Sequence, residues 1–363
     1  MPPESILLQF LSGSIEAELI GEPSACELLL RQARSANLLS RVAVLCVEKN
    51  LTPRLPQRMQ NHLQSAQAVA VANHRSVRWE AKQIERVLSA DEVPFCLLKG
   101  GAYVVGQSVA AKGRVFSDVD ILVPKELLEK TERLLIENGW MCTNFDPYDQ
   151  RYYRSWMHEL PPLQHMKRGT TLDVHHAIIP PTARIKSDIS KFWECTHKVA
   201  KHKLLYIPDD KDLILHSAVH LFCDGELENG LRDLSDLDLL LRDCSVRDEF
   251  WTELLTRAVE LNLQRPLFYA LRYCHALLNT PVPVQVLTRT AQGSPGKWAE
   301  TWMDFLFCRA LAPDHVSCND RWTGLARWML FVRSHWLKMP PLQLTQHLAR
   351  KGYKRWMKHK ASV

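Results

Sequence analysis

Apolar residues recur at three- and four-residue spacing from about residue 4 to about residue 90, with few β-branched runs, so this stretch is expected to be helical. Its breaks are expected near Gly21-Glu22-Pro23 and Leu51-Thr52-Pro53, where glycine or proline interrupts the pattern. The texture changes at Val93-Pro94-Phe95-Cys96-Leu97-Leu98, a short apolar run that reads as a strand and ends at Gly100-Gly101. A brief helix over 102–112, a strand through Ile121-Leu122-Val123 and a helix from about 125 to 138, stopped by Gly139, are expected next. Aromatic-rich stretches at 151–157 and 170–174 read as strands. Beyond Pro208 the pattern is helical again, with a loop near Ala291-Gln292-Gly293-Ser294-Pro295-Gly296, and the Trp and Phe residues between Trp298 and Trp336 are expected to fill the core of that region. The fold class is therefore α+β: a small mixed β-sheet core at 91–207 between a helical N-terminal module at 1–90 and a helical C-terminal module at 208–363.

With 363 residues the chain is long enough for two or three such modules and a sizeable core. Its ten cysteines form no C-x-x-C pair, which speaks against a zinc ribbon or a secreted disulfide framework and for reduced thiols in a cytoplasmic protein. The start, Met1-Pro2-Pro3-Glu4, lacks the regions of a secretory signal, and no apolar run approaches the roughly 20 residues of a membrane span. The formal charge of +6 belongs to the end of the chain: residues 331–363 carry eight Lys or Arg and no acid, leaving about −2 for the rest. With Trp336, Tyr353 and Trp356 interleaved, this tail suits RNA phosphates or an anionic membrane surface; a solvated helix face is the plainer reading.

The chemistry concentrates in three places: Leu98-Lys99-Gly100-Gly101, then Arg114-Val115-Phe116-Ser117-Asp118-Val119-Asp120-Ile121-Leu122-Val123, then Thr171-Leu172-Asp173-Val174-His175. On a strand Asp118 and Asp120 project from one face and can hold metal together, and Asp173 on a neighbouring strand would complete the cage. Hard Mg²⁺, or Mn²⁺ in its place, prefers such carboxylate oxygens, and nucleotidyl transfer needs metal to neutralise a departing pyrophosphate. Gly100 and Gly101 let backbone N–H groups approach phosphates, and Lys99 and Arg114 are the nearest cations for the β- and γ-phosphates. A solvated turn is the competing reading of any lone Asp-x-Asp.

The acid pair has a near copy at Ser235-Asp236-Leu237-Asp238-Leu239-Leu240-Leu241. Its leucine-rich context predicts a helix, where i and i+2 point nearly opposite ways, so its acids are expected to face solvent or pair locally with Arg232 and Arg242. His216 and His220 stand at a zinc-compatible i, i+4 spacing, but Ser217 lies where a zinc protease would carry its Glu; packing at a seam between modules is the expected role. His175 shares a strand face with Asp173 and is a candidate to orient that carboxylate.

These motifs resemble the DNA polymerase beta-like nucleotidyltransferase superfamily, whose pattern is a glycine pair, Asp-x-Asp on a strand and a third Asp. More narrowly they are similar to a bacterial family of uncharacterised nucleotidyltransferases marked by L-K-G, R-x-x-S-D-h-D-h-L-h and h-D-h-H, with h apolar. The resemblance implies Asp118, Asp120 and Asp173 as catalytic metal ligands. It implies Gly100, Gly101 and Ser117, with Lys99 and Arg114, as the site for ATP or another nucleoside triphosphate. The usual glycine-serine is Gly100-Gly101 here, which keeps the turn and loses a hydroxyl. The acceptor stays open among a small molecule, a protein and RNA, and the contrasting expectation is a catalytically inactive nucleotide-binding or scaffolding protein.

Overall fold

A computed structural model describes residues 5–15, 22–223, 225, 227–340 and 345 of the chain. The basic tail is described as far as Pro340; the rest of it, on which most of its cations and the expected RNA or membrane contact fall, lies outside the described residues apart from Thr345. The architecture is α+β, as the apolar pattern implies. Helices Ile6–Ser12, Pro23–Ser35, Leu39–Glu48 and Gln57–Leu88 come first, a seven-stranded mixed sheet occupies the middle, and helices from Asp210–Cys223 to Thr323–Lys338 follow. One buried apolar cluster runs from Ile6 to Leu330, so helices and sheet share a core. No described helix is long and apolar enough to cross a membrane.

The strands are β1 (Phe95–Leu97), β2 (Asp118–Leu122), β3 (Trp140–Cys142), β4 (Leu163–His165), β5 (Thr171–His175), β6 (Thr196–Lys198) and β7 (Leu205–Pro208), in the order β3-β4-β5-β2-β1-β7-β6. The central pair β2 and β5 is parallel, flanked by antiparallel β1 and β4. Val119, Ile121, Leu172 and Val174 are buried, which fixes the register, because a one-residue slip would place the strand acids in the core. Helix Gln57–Leu88 braces the approach to β2. Asn73 donates from Nδ2 to the Phe116 carbonyl (2.9 Å) and accepts from the Phe116 N–H (2.9 Å), and His74 Nε2 contacts the Arg114 carbonyl (2.9 Å).

Three expectations fail for local reasons. The aromatic stretch at 151–157 is helical, Pro147–Trp156, because Asp146 caps the N–H groups of Tyr148 and Asp149 with Pro147 in the first turn; its rings then align at i, i+4 and i+8 as Tyr148, Tyr152 and Trp156. The helix expected over 102–112 starts at Lys99 and ends at Val105, followed by a 3₁₀ turn Val109–Ala111. The late tryptophans do not fill a core: Phe307 is buried, but Trp298 is 94% exposed and Trp302, Trp322, Trp328 and Trp336 are also exposed, the core there being built from leucine, alanine and phenylalanine.

Candidate active site

β2 and β5 pair with Asp120 opposite Asp173 and Asp118 opposite Thr171. Register partners in a parallel sheet point to the same side, so Asp118, Asp120 and Asp173 share one face while their hydrophobic neighbours enter the core on the other. Asp118 is half-buried and accepts a hydrogen bond from Ser117 Oγ (3.1 Å). Asp120 is buried; its Oδ1 accepts from His175 Nε2 at 3.1 Å and lies 3.6 Å from Lys99 Nζ. Burial opposes its ionisation, yet the Lys99 ammonium and His175 hold its carboxyl well below the usual carboxylate range. Asp173 is in the opposite situation. Burial, then the carboxylates of Asp120 and Glu159, push it up to about 7, and its Oδ1 has no hydrogen-bond partner among the described residues.

His175 orients Asp120 rather than Asp173. Its other nitrogen, Nδ1, lies 3.4 Å from Glu159 Oε2, and Glu159 bridges to His175 on the backbone. Burial favours the neutral ring, but the bond to Asp120 and the charge of Glu159 outweigh it and raise the His175 pKa. One ligand atom from each of His158, Glu159 and His175 lies within 4.8 Å of the others. Glu159 has no counterpart in the sequence motifs: no spacing ties Met157-His158-Glu159-Leu160 to the strand acids, and only the fold brings it to them.

The glycine pair sits differently from the expected turn. Lys99 itself turns the chain, with φ of 39°, and starts the helix Lys99–Val105 directly after β1 and Leu98. A non-glycine residue held there is a local strain of the kind found at functional sites. Gly100 and Gly101 therefore lie inside the first turn, where N–H groups have no intrahelical acceptor, and Leu98 supplies no side-chain cap. A Cβ on Gly100 would come within 2.1 Å of the Phe116 ring, so this glycine permits Phe116 to lie across the helix start; Gly101 packs against Leu97.

A cavity of about 200 Å³ opens between these elements and the C-terminal helices, with Lys99, Asp118 and Asp120 on one side and His220, Arg232 and Asp233 on the other. Arg114 lines it too, but its guanidinium is tied down: Nε donates to Asp236 Oδ2 (2.8 Å), and Nη2 is 3.4 Å from Asp233 Oδ1. Among the described residues Nη1 has no hydrogen-bond partner, and it is buried. Asp236 is thus a buried residue of a long-range ionic scaffold, not the solvent-facing or locally paired acid expected. It also binds Arg41 Nη1 (2.8 Å), although burial outweighs both guanidiniums and keeps its carboxyl above its ordinary value. Asp238 does pair locally, with Arg242 Nε (2.7 Å), and accepts from Thr280 Oγ1 (2.6 Å). His216 packs edge-on against Phe192, and burial drives its pKa well down. His220 reaches the cavity wall, its Nδ1 3.9 Å from Asp233 Oδ2.

A second, larger cleft of about 700 Å³ meets the first at Phe116, Ser117 and Asp118. Its outer walls come from helix Gln57–Leu88 and from Arg168-Gly169-Thr170, before β5. No motif pointed to it.

Residues 22–279 match the model of a family described as an uncharacterised nucleotidyltransferase. The match takes in the glycine pair, all three strand acids and the second acid pair. No curated protein matches the chain.

Proposed function

The chain belongs to this uncharacterised nucleotidyltransferase family, and from that premise we propose that it is a metal-dependent enzyme moving a nucleoside monophosphate from a nucleoside triphosphate to an acceptor. The observation that carries this reading is the in-register pairing of Asp120 with Asp173, with Asp118 one pleat away on the same face. A divalent cation fits these residues. Asp173 has a buried oxygen without a hydrogen-bond partner among the described residues, and a carboxyl pressed toward its neutral form by burial and then by surrounding acids, a strain that Mg²⁺ or Mn²⁺ would relieve. Asp118, Asp120 and Asp173 would hold the ion, which when bound supplies positive charge at the reacting phosphate and leaving group.

The surrounding side chains have separable tasks in this reading. Lys99 and the uncapped N–H groups of Gly100 and Gly101 bind the β- and γ-phosphates in the smaller cavity. Arg114 shapes the wall, its Nη1 buried without a hydrogen-bond partner among the described residues, while Ser117 orients Asp118. His175, held between Asp120 and Glu159, fixes the Asp120 carboxylate. The order of glycine pair, acid pair and third acid is the ground for placing the family in the DNA polymerase beta-like superfamily. The change of element type near 90 and 208 supports division into three modules around the shared core. Ten cysteines, none of them in a disulfide, suit a reducing, cytoplasmic setting.

Incubation with Mg²⁺, each α-phosphate-labelled nucleoside triphosphate and whole-cell lysate tests the reading. The expected result is pyrophosphate and a labelled acceptor with the wild type, and neither with Asp118→Ala or Asp120→Ala. Equal labelling by wild type and variants would refute it.

A further inference from the structure

The larger cleft shares Ser117 and Asp118 with the smaller cavity, so the two compartments meet at a carboxylate proposed to hold metal. A transferase needs such an arrangement: the donor's triphosphate on one side of the reacting phosphorus, and the incoming nucleophile on the other. About 700 Å³ is the size of an ordinary small-ligand pocket. What fills it is constrained by the charges its walls leave unspent.

Glu80 is buried and neutralised within the wall, accepting from Arg168 Nε (3.0 Å) and Nη2 (2.5 Å) and from Thr170 Oγ1 (3.3 Å). Asp118 is engaged at the shared edge. Arg75 is exposed on the helix, and among the described residues its guanidinium has no ion-pair or hydrogen-bond partner. Four residues along, on the same helix face, Trp79 lines the cleft and is 48% exposed, with the Arg168 guanidinium 5.5 Å from its ring. The cleft thus offers an open indole for a planar ring and a free cation for an anion, and no unpaired carboxylate for a polycationic acceptor except the one reserved for metal. In the proposed reading the donor's triphosphate lies in the smaller cavity and its nucleoside carries no further anion, so the exposed Arg75, without a partner among the described residues, suits a second phosphate.

We infer that the larger cleft is the acceptor site and that the acceptor is a ribonucleotide end: its base stacked on Trp79, its phosphate at Arg75 and its terminal ribose hydroxyl delivered to Asp118. This rests on the nucleotidyl-transfer reading. The hydroxyl oxygen forms the new bond to the α-phosphorus, the bond from that phosphorus to the β-phosphate bridging oxygen breaks, pyrophosphate leaves, and the hydroxyl proton passes to solvent. A free nucleoside monophosphate and the end of an RNA strand share this chemistry.

Two readouts separate the inference from the reading beneath it. In fluorescence anisotropy with the full chain, a short single-stranded RNA labelled at its far end is expected to bind about tenfold more weakly to Trp79→Ala and to Arg75→Glu. Affinity for a labelled triphosphate with Mg²⁺ should stay within about twofold. Competition by adenosine monophosphate as well as by RNA identifies a free nucleotide as sufficient; competition by RNA alone identifies a strand end. Both residues are exposed, and circular dichroism checks that the variants fold. Loss of triphosphate affinity with RNA affinity retained would overturn the inference and assign the cleft to the donor nucleoside. Unchanged RNA binding in both variants would also overturn it. If the wild type transfers no label at all, the anisotropy difference still decides whether the cleft binds a ribonucleotide end.

Discussion

Ser117-Asp118-Val119-Asp120 and Ser235-Asp236-Leu237-Asp238 share one local pattern and have opposite fates. On β2 the two acids project to the same side and meet Asp173 from β5. On helix Gly230–Cys244 the same spacing turns the acids about 200° apart. Asp236 consequently reaches Arg41 and Arg114, while Asp238 reaches Arg242 and Thr280. Both Asp236 oxygens accept from a guanidinium, whereas Asp173 keeps a buried oxygen with no hydrogen-bond partner among the described residues. Charge satisfied within the fold is scaffold, and charge left concentrated and unsatisfied is a place for a ligand. The two sites also touch, because Arg114 links the approach to β2 to the helical copy.

The contrast breaks most visibly in activity. Asp118→Asn and Asp120→Asn should each lower label transfer by about a thousandfold or more while the protein stays folded, checked by steady-state transfer and circular dichroism. The same change of residue type in the scaffold acts on stability. Asp236→Ala leaves Arg41 without its acid and Arg114 with Asp233 alone, and should cost about 3–5 kcal/mol in urea unfolding. Gly100→Ala, which drives a methyl into the Phe116 ring, should cost about 1–3 kcal/mol, and Phe116→Leu in the same chain should recover part of it.

Asp173 sharpens the contrast through pH. Its pKa is raised on folding from 3.8 to about 7, so the folded state binds its proton more tightly than the unfolded chain. The stabilising contribution of Asp173 to the metal-free protein should therefore fall as pH rises from about 4 to about 7, and level off above that. In chelator at pH 8, Asp173→Asn should raise stability by about 1–2 kcal/mol, remove that component of the pH dependence and abolish transfer. A thermal-melt series across pH reads this directly. The smallest effect is expected at Ser117→Ala, which loses one exposed bond to Asp118 and should change stability by less than about 0.5 kcal/mol.

Much of this was legible in residue patterns, and the exceptions share a cause. Alternation with β-branched neighbours marks β2 and β5 as strands, and leucine-rich spacing marks the second copy as a helix, because those signals are local. The burial of Asp236 was not legible, since Arg41 and Arg114 stand 195 and 122 residues away. Glu159 likewise reaches the strand acids only through the pairing of its segment with β5. The early helix start at Lys99 depends on one residue's left-handed backbone, which no side-chain pattern announces. The cleft beside Trp79 is assembled from segments about 90 residues apart, as in the Arg168–Glu80 pair.

In the proposed reading three strand carboxylates grip a divalent ion beside a bound triphosphate. Electron paramagnetic resonance of Mn²⁺ titrated into the protein with a non-hydrolysable triphosphate analogue probes that grip itself. Tight, analogue-dependent Mn²⁺ binding by the wild type that is lost in Asp118→Asn, Asp120→Asn and Asp173→Asn is the expected result. Undiminished Mn²⁺ binding by all three folded variants would contradict it.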